Sequence, residues 1–251
     1  MATLRALFFD MNGVLVDVAR SYRRAIEETV EHFTGRELLP DAVQRYRSAG
    51  GFADDWRLTH AIITDIGMTV PFGRVAEEFQ RRYRGESWNG FICEEPPLVR
   101  TDTLERLAAG GRILGVVTGR PDAEARWTLE RFGWQRLFPL VVPREKRDDR
   151  LPPDPYALQH ALLILEAVGR RIDPAEAAYV GCSAEDMAAA RAAGLWAVGL
   201  APPGAPDAPA QEALLRERGA HLVVASLDEL PERLERLKAP PAAVLEDEAR
   251  A

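Results

Sequence analysis

A chain of 251 residues with 47% apolar content can bury a substantial core, either as one large domain or as a main domain carrying an insertion. Its formal net charge of −7 argues against a nucleic-acid binder, which would need a basic face, and no stretch approaches the ~20 apolar residues of a membrane span. Cys93 and Cys182 supply no disulfide framework, and Met1-Ala2-Thr3 runs straight into an apolar strand without a signal-peptide pattern, so a reduced cytoplasmic setting is expected.

Short apolar runs alternate with helical segments along the chain, the pattern of a parallel sheet covered by helices. The strands are expected at 4–9, 113–117, 138–142, 178–180, 197–200 and 222–225, and most lack polar alternation, as doubly covered strands should. The first gap differs from the others. After Asp17 the sequence reads as helices only. Ser21 is a candidate N-cap for the first, which carries Tyr22, Ile26, Val30 and Phe33 on one face. Further helices fit 40–48, 54–65 and 70–84. The expected organisation is therefore an α/β Rossmann-like core over 1–16 and 97–238 and an inserted all-α domain over 17–96. Residues 201–209 read as Pro-rich extended chain, and 239–251 as a disordered tail. Trp88, Phe91 and Trp134 read as core or interface. His32, His60, His160 and His221 are scattered without metal-ligand spacing and read as ordinary structural histidines.

Ligands of open α/β sheets bind beyond the carboxyl ends of the strands, so the residues that end these strands are the functional candidates. Asp10 ends the first, and Gly13 lets the chain turn sharply before Val14-Leu15-Val16. A lone aspartate there could equally be a turn former. The second candidate strand ends Val117-Thr118-Gly119-Arg120, where the Thr118 hydroxyl and the amides after it, at Gly119 first, suit an anionic oxygen. Pro121 and Asp122 then start a helix whose positive dipole end would face that anion. Further on, Arg150 stands just before the helix start Pro152-Pro153-Asp154-Pro155-Tyr156, with Lys146 as an alternative cation. The plain reading of Arg144, Lys146, Arg147 and Arg150 is a solvated charged loop. The last segment, Gly181-Cys182-Ser183-Ala184-Glu185-Asp186, ends a strand and opens a helix running to Gly194. Cys182 there is either a small apolar filler or a thiol of lowered pKa open to redox switching. Glu185 reads as surface charge.

In order and spacing these segments resemble the four motifs of the haloacid dehalogenase superfamily. The insertion between the first two resembles the helical-cap branch that includes phosphoglycolate phosphatase and β-phosphoglucomutase. The resemblance implies that Asp10 attacks phosphorus, that Thr118, Gly119 and Arg150 (where the family has lysine) bind the phosphoryl group, and that Asp10, the Asn12 backbone carbonyl and Asp186 hold any magnesium ion. It implies a cap that closes over the site and sets specificity, with Arg23, Asp54, Asp55 and Trp56 as candidate contacts or as plain helix surface. The departures are Asn12, in place of the aspartate that serves as general acid and base, Arg150, and Cys182, in place of a metal-ligand aspartate. A thiol does not replace a carboxylate for magnesium. Removing two carboxylates also takes away about the charge one divalent cation would neutralise, leaving Asp10, Asp186 and Arg150 near −1, so the site can be metal-dependent with weakened Mg2+ or need no cofactor. Three readings follow. The first is a former phosphatase that still binds a small phosphorylated or anionic metabolite and serves as a sensor, scaffold or subunit beside a protein partner. The second is a live phosphatase for a small activated phosphate. The third is a metal-independent carbon–halogen hydrolase, although the dehalogenases have Asp-x-Tyr and lysine where this chain has neither.

Overall fold

The computed structural model describes residues 4–39, 42–48, 54–148, 150–203 and 208–237. Six strands form one parallel sheet: β1 (Ala6–Phe9), β2 (Ile113–Val117), β3 (Leu140–Val142), β4 (Ala177–Gly181), β5 (Trp196–Leu200) and β6 (Leu222–Val224). Their spatial order is β3-β2-β1-β4-β5-β6. Every residue of β1, β2, β4 and β5 is buried. Successive side chains point to opposite faces, so both faces are covered, and this is why the strands read as continuous apolar runs. The first and third runs were expected to begin two residues earlier. Pairing starts at Ala6, opposite Ile113 at the start of β2, and at Leu140, opposite Gly115 in the middle of β2.

The helices, in chain order, are α1 (Ser21–Thr34), α2 (Ala42–Ser48), α3 (Asp55–Asp65), α4 (Phe72–Tyr83), α5 (Thr101–Ala108), α6 (Asp122–Arg131), α7 (Tyr156–Ala167), α8 (Ala184–Ala192), α9 (Ala208–Glu217) and α10 (Leu230–Glu235). Two compact units divide the chain: Met1–Leu15 with Leu98–Ala251, and Val16–Pro97. In the first unit, Leu158 and Ala161 of α7 and Met187 and Ala190 of α8 join Phe8, Val117 and Tyr179 of the sheet in one buried cluster. Trp134 is buried here and donates its indole N–H to Thr101 Oγ1 at 2.9 Å. Residues 239–251 and 204–207 lie outside the described residues. Ala208 and Pro209, expected as extended chain, instead open α9, because a proline in the first helical turn lacks only an N–H that would have no intrahelical partner.

In the second unit, α1 turns Tyr22, Ala25, Ile26, Thr29 and Val30 inward at helical spacing, against Val75, Phe79 and Tyr83 of α4. The ring centroid of Tyr22 lies 4.5 Å from that of Tyr83. Asp54 caps α3 by accepting from the amides of Trp56 and Arg57, and Arg23 pairs with Glu27, so both have structural duties. Ser21 is not the cap of α1. Arg20 holds that position, while the Ser21 hydroxyl donates to the buried Glu95 carboxylate at 2.6 Å, as does the Tyr83 hydroxyl at 2.9 Å. Glu95→Ala would remove the carboxylate that both buried hydroxyls share as an acceptor and is expected to lower stability by ~1–3 kcal/mol. Thermal unfolding followed by circular dichroism checks this, and an unchanged Tm would mean that the hydroxyls re-pair. No helix among the described residues is long and apolar enough to cross a membrane.

Candidate functional site

The sheet order reverses between β1 and β4, so their carboxyl ends form the crevice in which α/β sheets hold ligands. Asp10 follows β1 there and its amide donates to the Val180 carbonyl of β4 at 2.9 Å. Gly13, at φ +71°, bends the chain away from the sheet. On the other side of the crevice β4 runs through Gly181 into α8, whose start is a capping box. Ser183 Oγ accepts from the Asp186 amide at 3.0 Å, while Asp186 Oδ2 accepts from the amides of Ser183 and Cys182 at 3.0 and 3.1 Å. Gly181 is required for this turn, since a Cβ there would fall 2.4 Å from that of Asp186.

The two departures at the first and last segments adjoin through the Asn12 backbone. Cys182 Sγ lies 3.5 Å from the Asn12 backbone carbonyl oxygen, to which it donates, and a Cβ on Gly13 would be 3.1 Å from the same sulfur. The Asn12 side chain faces elsewhere. Its Oδ1 accepts from Arg120 Nε at 2.5 Å, and Arg120, wholly buried, also donates from Nη1 to Thr128 Oγ1 at 3.1 Å. Thr118 is buried too. Its hydroxyl oxygen accepts from the Arg120 amide at 3.3 Å, which leaves the hydroxyl proton to donate. The helix start after it is partly occupied, because the Glu145 carboxylate accepts from the Asp122 amide at 3.0 Å.

Arg150 does not turn into the crevice. Its side chain is 51% exposed, 3.9 Å from Asp154, and its guanidinium lies 4.8 Å over the Tyr156 ring. Lys146 is exposed at the end of the short Arg144–Lys146 turn. The cation that enters is Arg147, 5% exposed, whose charge acts on both Asp10 and Asp186. A Cβ on Gly119 would stand 3.7 Å from Arg147 Nη1, so this guanidinium borders the Thr118-Gly119 loop. Nothing in the run from Arg144 to Arg150 distinguishes one cation from the next, since a tight turn has no apolar period to mark its inner side. With Arg150 outside, it is Arg147 and Arg120, two cations rather than one, that act on Asp10.

The electrostatics follow from burial. The Asp10 carboxyl is pushed up to about 7, by burial first and the Asp186 charge second, against the pull of Arg147, the Met11 amide and Arg120. Burial also raises Asp186, opposed by its bonds to Ser183 and Cys182. Of the two readings of Cys182, the surroundings favour the filler over the low-pKa thiol. Burial, then Asp186 and Asp10, push it well above the ordinary thiol range, and two nearby carboxylates outweigh one helix start.

Magnesium, which the motif pattern implies, needs near-octahedral hard oxygen donors. The residues present do not fit it. The Asn12 carbonyl accepts from the Cys182 thiol, and Asp186 Oδ2 already takes two backbone amides while Oδ1 receives the Tyr179 hydroxyl at 3.4 Å. Among the described residues, no three His, Cys, Asp or Glu side chains are grouped to hold a metal ion.

A parallel sheet of this order, with an aspartate, a threonine and a capped acidic helix start around its switch point, defines a phosphatase-like hydrolase of Rossmann-like fold. The pattern of the haloacid dehalogenase-like hydrolases matches residues 4–194, and the chain belongs to that family. It is 30% identical over 255 residues to the plasmid phosphoglycolate phosphatase of Cupriavidus necator, covering 95% of this chain and 96% of that protein. It is 34% identical over 216 residues to the phosphoglycolate phosphatase of Escherichia coli K12, covering 78% and 81%. To the imidazoleglycerol-phosphate dehydratase of Phytophthora nicotianae it is 32% identical over 206 residues, 80% of this chain, but it spans only 44% of that protein's length. Among solved structures, a predicted phosphoglycolate phosphatase from Haemophilus somnus superposes with a TM-score of 0.73 at 20% identity, covering 93% and 99% of the two chains. A family hydrolase from Deinococcus radiodurans with bound phosphate and sodium superposes with 0.67 at 22% identity, covering 93% and 96%. These likenesses carry the fold.

Proposed function

We propose that this chain binds a small phosphorylated or similarly anionic metabolite at the crevice beyond β1 and β4 and hydrolyses it slowly or not at all. The observation that carries this reading is the contact between Cys182 Sγ and the Asn12 carbonyl. One departure, Cys182, lies against the backbone of the other, Asn12, whose side chain is turned to Arg120, and between them the site would lack a metal ligand and a proton donor. Asp10 keeps the position of a nucleophile. An amide at position 12 cannot protonate a departing alkoxide, and here its oxygen is bound to Arg120. Thr118, Gly119 and a guanidinium can still receive phosphoryl oxygens. Such a protein serves as a ligand sensor or as a subunit for a protein partner, and two free thiols suit a reduced, cytoplasmic setting.

A second reading is favoured by the nucleophile itself. Acyl and aryl phosphates expel leaving groups that need no proton, so Asp10 could act on them unaided. Nothing in the site favours carbon–halogen hydrolysis over these two. Turnover of p-nitrophenyl phosphate and acetyl phosphate by the wild type, with and without magnesium, decides the matter. Activity at background level is expected. Turnover that Asp10→Asn abolishes would replace the first reading with the second.

A further inference from the structure

Arg147 is a buried cation whose side chain makes no hydrogen bond or salt bridge among the described residues. It is 5% exposed and its Nε is enclosed without an acceptor. Arg120, equally buried nearby, is bonded to Asn12 and Thr128. A guanidinium is a rigid fork of donors matched to planar or tetrahedral oxyanions, and leaving one buried and unbonded costs more than leaving a neutral donor so. Its position gives the missing bonds a direction, for its Nη1 borders Gly119, next to the Thr118 hydroxyl, while its charge reaches Asp10 and Asp186. In a metal-dependent site a divalent ion would sit among those carboxylates and also draw in the phosphoryl oxygens. The donor set here does not fit such an ion.

We propose that Arg147 takes the place of the metal: its guanidinium is the fixed counter-charge of Asp10 and Asp186 and the direct ligand of a tetrahedral oxyanion held with Thr118 and Gly119, so the site binds phosphate groups without magnesium. This rests on the anion-binding reading above. Arginine supplies the charge and the two-point geometry, but not the open coordination positions that would polarise a scissile bond. A site so built holds a phosphorylated ligand rather than turning it over.

Calorimetric titration of inorganic phosphate into the 251-residue chain, in EDTA and then in magnesium, tests this, with circular dichroism confirming that each variant is folded. Wild-type affinity is expected to agree within about twofold between the two conditions. Arg147→Gln is expected to weaken binding at least tenfold, and Arg147→Lys, which keeps the charge and loses the fork, to fall between. Should Arg147→Gln fail to fold, the wild-type comparison and Arg147→Lys still decide. Binding that requires magnesium overturns the proposal and leaves the anion-binding reading standing, as does full-strength binding by Arg147→Gln with loss in Arg150→Gln. Absence of binding by the wild type in both conditions overturns both.

Discussion

Changing Asn12 and Cys182 together to aspartate is expected to raise aryl-phosphate turnover by ~10²-fold or more, and only with magnesium present. Neither change should suffice alone. Asn12→Asp places a carboxyl 2.5 Å from Arg120 Nε, where the guanidinium holds it ionised and turned from the crevice, so its gain should stay below about tenfold. Cys182→Asp removes the thiol that donates to the Asn12 carbonyl and sets a third carboxylate beside Asp10 and Asp186. That frees a carbonyl oxygen and supplies a hard donor, giving the site the charge and ligands a divalent ion needs. The ion itself then offsets the repulsion among the three acids. Two readouts separate these effects. Magnesium should raise the Tm of the double variant and of Cys182→Asp but not of the wild type, since only a species that binds the ion is stabilised by it. Turnover should appear in the double variant alone. A wild type as fast as the double variant would sink the argument.

Asp10→Asn is expected to stabilise the metal-free protein at pH 8, and by less than half as much at pH 5. The Asp10 carboxyl titrates at about 7 in the fold, against 3.8 ordinarily. Between those values the folded chain holds a proton that the unfolded chain has released. Folding stability therefore falls as pH rises from about 4 and levels off above about 7. At pH 8 the fold carries a buried charge next to Asp186, and the amide removes it. A shift of this size sets an upper bound of about 4 kcal/mol. Partial exposure and local relaxation bring the expected gain to ~1–3 kcal/mol, or several degrees of Tm for a protein of this size. Thermal scans in EDTA across pH 5–8 measure it. A loss of stability at pH 8, or a gain that does not vary with pH, would show that burial and Asp186 do not govern this carboxyl.

The architecture was legible in the sequence because backbone periodicity writes burial into residue order. Runs such as Ile113–Val117 lack polar alternation because both of their faces are covered, and α1 shows its inner face at Tyr22, Ile26 and Val30. Asp10, Gly13, Thr118 and Gly181 stand out for a related reason. Strand ends and sharp turns admit few residue types, so their chemistry shows locally. What only the tertiary structure decided are the matches made through space. Ser21 looks like a helix cap until Glu95 and Tyr83 come beside it. Cys182 has the local surroundings of an activated thiol, yet burial, with Asp186 and Asp10, pushes it the other way. Among Arg144, Lys146, Arg147 and Arg150, each equally able to face water, the turn after β3 buries Arg147 and leaves Arg150 outside on Tyr156. A repeat along one chain segment records which side is buried. A charge finds its partner across the fold, and no local pattern records that distance.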